Sequence, residues 1–136
     1  MVTDDLKGRL VLVHPDLSYD PACRQNETGR IIKADLPADD IFVDFGDGHP
    51  ALYEAAALLV LKDAEEIFQL LENKELQLNE ADRRGIYGIA LILHHGYEES
   101  PLMSMKLCRQ HPGIREQAME SLQDVLDREH NQEVSR

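Results

Sequence analysis

Apolar positions recur along this chain with two periods, and the change from one to the other falls near residue 62. Residues 9–13, Arg-Leu-Val-Leu-Val, form a β-branched-rich run that stops at His14-Pro15, where proline removes a ladder donor. Residues 16–28, rich in Asp, Asn, Pro and Ser, read as a loop. A second strand is predicted over 29–34 and a third over 41–45, in which Ile41, Val43 and Phe45 share one face at the period of two. Gly46-Asp47-Gly48 supplies the positive φ of a tight turn. Residues 51–54 and 58–61 then complete four or five short strands, at the spacing of a small all-β barrel.

From Asp63 onward the period is helical. Asp63-Ala-Glu-Glu66 has the N-cap and N3 acid of a capping box, ahead of Ile67, Leu70 and Leu71 on one face. Asn79-Glu-Ala-Asp82 repeats that logic before the stripe Ile86, Ile89, Ala90 and Leu93, which ends at Gly96. Gly85 and Gly88 cost about 1 kcal/mol each relative to alanine inside a helix. Either they permit close helix packing, or part of that segment is extended. Pro101 suits a first helical turn before Leu102, Met105 and Cys108. After His111-Pro112-Gly113 a last helix is predicted, with Ile114, Ala118, Leu122 and Val125 or Leu126 on one stripe and Glu116, Glu120 and Asp124 on another. Four helices result.

Residues 29–34, the segment Ile41-Phe-Val-Asp-Phe-Gly-Asp-Gly48, Leu52-Tyr53 and residues 58–61 together resemble the strand plan of SH3-like small barrels, closest to the Tudor and KOW-type branch. Asp44-Phe45-Gly46 is similar to the aspartate-aromatic-glycine turn of Tudor-like domains. The resemblance spans roughly residues 6–62 and implies a module that binds peptides, modified side chains or nucleic acid rather than a catalyst. The chain has no Trp, which argues against the aromatic walls that proline-rich or methylated-lysine ligands need. Residues 63–136 resemble no family.

Charge narrows the partner classes. The 136 residues carry 26 acids against 14 bases, a net charge of −12, and both halves are acidic. Nucleic acid and anionic membrane are disfavoured, because the only adjacent basic pair is Arg83-Arg84. A hydrophobic content of 43% in periodic segments predicts a folded chain. The N-terminal residues lack the layout of a signal peptide, and the longest apolar run, residues 55–61, is too short to span a bilayer. Cys23 and Cys108 stand far apart, as free thiols of a reducing compartment would, although one long-range bridge stays open. The expected location is cytoplasmic.

Candidate chemistry is sparse. His14, Asp16, Asp20, Cys23 and His49 fall in loops that barrel closure would bring near one another, and are residue types that ligate a transition metal. Their spacing fits no established metal pattern, so solvated loop is the better reading and no metal or other cofactor is expected. His94-His95 point about 100° apart on a helix and suit the helix dipole better than a ligand site. No Ser lies in a G-x-S-x-G elbow, and Phe45-Gly46-Asp47-Gly48 reads as a hairpin rather than a phosphate loop. Met103, Met105 and Met119 suit core filling or an adaptable groove.

The chain is therefore expected to be α+β: an N-terminal SH3-like barrel over 1–62, and a small helical bundle over 63–136 packed against it. Its expected role is a non-enzymatic protein-interaction module with ligand residues Tyr19, Phe45, His49 and Tyr53. One rival is an acidic inhibitor or immunity-type protein that meets a basic partner through Glu116, Glu120 and Asp124. A second is a metal-dependent enzyme using His14, Asp16 or His49. Exposed strand edges of a small barrel also leave homodimerisation open.

Overall fold

The computed structural model describes residues 6–134, with side chains through residue 130, as an α+β chain. Strands β1 (Leu10–Val13), β2 (Thr28–Asp35), β3 (Asp40–Asp44) and β4 (Ala51–Tyr53) form an antiparallel meander. A 3-10 turn over Ala55–Ala57 then leads into β5 (Leu58–Leu61), which returns to the other side of β1. Helices α1 (Ala64–Glu72), α2 (Glu80–His95), α3 (Ser100–Gln110) and α4 (Pro112–Ala118) follow, then β6 (Met119–Ser121) and α5 (Leu122–Val134).

The sheet order is β4-β3-β2-β1-β5-β6. Where the sequence predicts a closed barrel of four or five strands, the sheet is open, because the outer edge of β5 takes β6 as its neighbour and β4 stays at the opposite edge. A second difference concerns the predicted last helix, which is two helices with extended backbone between them. The backbone N–H of Lys62 donates to Ala118 O at 2.9 Å, and the Ser121 hydroxyl accepts from Asp124 N at 3.0 Å, starting α5 afresh. Glu116, Glu120 and Asp124 consequently lie on α4, β6 and α5 and share no helix face, which removes the acidic stripe expected from their spacing.

The sequence divides the chain once, at residue 62, whereas the fold divides it after Val60 and again after Glu120. The first unit holds the residues up to Val60 and those from Ser121 on. Its core joins Val11, Val13, Ile31, Ile41, Val43 and Leu58 to Leu122 and Val125 of α5. Period-two alternation on β3 buries Ile41 and Val43, as predicted, while Phe42 faces the other way. Gly29, the second residue of β2, stands at a close approach, since a Cβ there would sit 2.5 Å from Val43 Cγ1 and 2.8 Å from the Asp44 carbonyl oxygen. Ile32 is the extra residue of a bulge, as the register passes from Ile31↔Val43 to Lys33↔Phe42.

The second unit, Leu61–Glu120, is built around α2, which contacts α1, α3 and α4. The predicted caps form: Asp63 accepts from Glu66 N at 2.8 Å, and Asn79 from Asp82 N at 2.7 Å. Gly96 closes α2 in the left-handed region, at φ 70°. The segment containing Gly85 and Gly88 is helical throughout. Gly85 serves close packing, because a Cβ there would meet Ile114 Cδ1 at 2.4 Å, whereas nothing lies within 4 Å of the same position at Gly88.

The glycines therefore separate into required and replaceable. Gly88→Ala is expected to raise unfolding free energy by about 0.5–1 kcal/mol through helix propensity. Gly29→Ala is expected to lower it by about 1–3 kcal/mol, because fixed backbone must move, and Gly85→Ala should fall below Gly88→Ala through displacement of buried Ile114. Denaturant titration of the three variants against the parent checks this ordering.

Candidate functional site

The long β1–β2 loop is braced rather than loose. Asp20, only 8% exposed, accepts from the backbone N–H groups of Ala22 at 3.0 Å and Arg24 at 2.8 Å. The Tyr53 hydroxyl on β4 donates to the same carboxylate, at 2.9 and 3.1 Å to its two oxygens. Asn26 N donates to Val13 O and Val13 N to Glu27 O, so the loop stem continues the hairpin inward. Two non-glycine residues of the loop, Cys23 and Asn26, sit at positive φ (55° and 66°), a conformation these hydrogen bonds hold in place. Burial first, and Asp20 second, push the Tyr53 phenol well above its ordinary range, so the hydroxyl stays a donor.

A cleft of about 470 Å³ opens above this latch, within the size range of ligand sites. Leu17, Tyr19 and Pro21 line it from the loop, Leu52 and Tyr53 from β4, and Ala57 from the 3-10 turn. Tyr19 is 79% exposed and Leu52 51%, so both present apolar surface to whatever enters. The remaining charged groups are all acidic: Asp20, Asp39, Asp40 and Glu54 line the cleft, and no Lys, Arg or His does. Asp39 is held at φ 56° and accepts from Ala55 N at 2.9 Å, which fixes the β2–β3 turn against the 3-10 turn.

Of the four ligand residues read from the sequence, the structure brings Tyr19 and Tyr53 into this cleft, whereas Phe45 and His49 do not line it. Those two belong to a neighbouring cluster organised by Arg24. Its guanidinium lies 4.6 Å from the Phe45 ring centroid, donates to Glu27 at 3.1 Å and to the His49 carbonyl at 3.2 Å, and pairs with Asp47. Arg24 in turn holds the Asp47 carboxyl below its usual range. Phe45 meets Tyr53 edge-on at 6.4 Å, so it backs the cleft from behind.

The metal-ligand candidates do not converge: among the described residues no three His, Cys, Asp or Glu side chains gather at ion-binding distance. Asp20 is committed to the latch, and His14 Nδ1 accepts from Asp16 N at 3.0 Å. Cys23 is exposed and Cys108 buried, both as free thiols, and burial pushes the Cys108 thiol up to about 12. In the second unit His94 and His95 end α2 in a row of rings that runs Tyr87, Phe68, His94, His95, Tyr97, with centroids 5.9 to 6.1 Å apart. No helix among the described residues is long and apolar enough to cross a membrane. No protein-family model, curated protein or solved structure matches the chain.

Removal of the Tyr53 hydroxyl tests the latch. Tyr53→Phe is expected to lose about 1–3 kcal/mol at neutral pH, because a buried carboxylate gives up a donor. A phenol whose pKa is raised by folding stabilises fully below about pH 10, and that contribution fades as pH climbs beyond it. The gap between parent and variant should thus narrow above pH ~10 in denaturant titrations.

Proposed function

We propose that this chain is a non-enzymatic cytoplasmic interaction module that docks a segment of a partner protein in the cleft between the β1–β2 loop and β4. The observation that carries the reading is the cleft itself: a braced loop and a strand edge hold exposed Tyr19 and Leu52 apart around about 470 Å³ of accessible space. Rigid walls lessen the ordering cost of association, and an exposed aromatic beside an apolar residue is a common binding anchor. The side chains lining the cleft are acids, tyrosines, aliphatics and one serine, Ser18, with no His, Lys or Cys among them.

The strand plan supports the SH3-like reading of the N-terminal part. An antiparallel meander whose fifth strand returns beside the first, after a 3-10 turn, is the connectivity of such barrels, here extended by β6. The two free thiols agree with a reducing compartment.

Capture from a lysate of the source organism, with the parent chain and with Tyr19→Ser/Leu52→Ser, tests the docking role. The expected result is at least one stoichiometric protein that the parent retains and the folded double variant does not. Equal retention by both chains would dismiss the cleft as the docking surface.

A further inference from the structure

We propose that the segment seated in this cleft presents an arginine side chain next to an apolar one, the guanidinium being held by Asp40 and Glu54. This inference rests on the docking role proposed above. The four lining carboxylates are not equivalent. Asp20 is saturated by Tyr53 and two backbone donors, and Asp39 holds Ala55 N. Asp40 and Glu54 make no side-chain hydrogen bond or ion pair among the described residues, and the cleft supplies no basic side chain to balance them. Two uncompensated acids beside Tyr19 and Leu52 call for a ligand that is cationic on one side and apolar on the other.

The same unit shows the chemistry within its own chain. Arg24 lies over the Phe45 ring while its nitrogens meet Glu27, Asp47 and a carbonyl, an arrangement of ring face plus carboxylates that a planar guanidinium fills and a lysine ammonium does not. Tyr19 with Asp40 and Glu54 offers a second set of those group types, without a cation of its own. A second copy of the chain is the poorer occupant, since a net charge of −12 repels its like at the acidic mouth.

The test pans random peptides on immobilised full-length chain at low salt and measures selected peptides by fluorescence anisotropy. Enrichment of arginine is expected, with affinity falling about tenfold or more when that arginine becomes alanine and by a similar factor for Asp40→Asn/Glu54→Gln. These substitutions are isosteric, and raising salt should weaken binding to the unaltered chain severalfold, which gives a readout free of any folding defect. Selected peptides that need Tyr19 and Leu52 but carry no basic residue, or that bind the Asp40/Glu54 variant and the parent alike, overturn the arginine assignment and leave the docking role standing. Failure to select any peptide sensitive to Tyr19→Ser/Leu52→Ser overturns both.

Discussion

The carboxylate of Asp20 ties two stretches of chain together. It gathers the backbone of its own loop through Ala22 and Arg24, and it takes the hydroxyl of Tyr53 from β4. Burying a charge is costly unless it is well hydrogen-bonded, and here both oxygens are engaged. The loop wall of the cleft inherits its position from this arrangement. Tyr19 projects from a loop whose path Asp20 sets, and Arg24, placed by its own N–H on that carboxylate, reaches over Phe45 toward the β3–β4 connection.

The acidic character of the chain is thereby distributed with two different outcomes. Glu27 and Asp47 both pair with Arg24, so their charges brace loops. Asp40 and Glu54 flank apolar surface with no countercharge among the described residues, so they shape the potential at the mouth of the cleft. Both pairs are carboxylates close to an aromatic ring, and the presence of one arginine separates a structural cluster from an open surface.

Local signals were legible wherever one short segment decides the outcome. The Asp63 and Asn79 caps, the Gly96 stop and the burial of alternate residues on β3 follow from side chains within a few positions of one another. Residues 112–126 read as a single helix because Ile114, Ala118, Leu122 and Val125 keep a helical period straight through Met119–Ser121. Extended backbone there reflects the sheet neighbour β5 and the Lys62 bond to Ala118, neither of which is local. Within the site, Tyr19 and Tyr53 could be picked as aromatics near predicted turns. Phe45 and His49 carry the same local signal, and only the place of Arg24 separates them from the cleft. Asp39, Asp40, Leu52 and Glu54 had no distinguishing signal, since only tertiary folding brings the β2–β3 turn beside β4.

The second compact unit is an insertion: the chain leaves the sheet after β5, forms four helices and then returns to supply α5. Leu122 and Val125 therefore belong to a core whose other members lie at or before Val60. During synthesis the β-strands emerge with that part of their apolar face uncovered, and roughly sixty residues must pass before its cover exists. Completion of the first unit's core therefore waits on translation of Leu122 and Val125, beyond the helical insert.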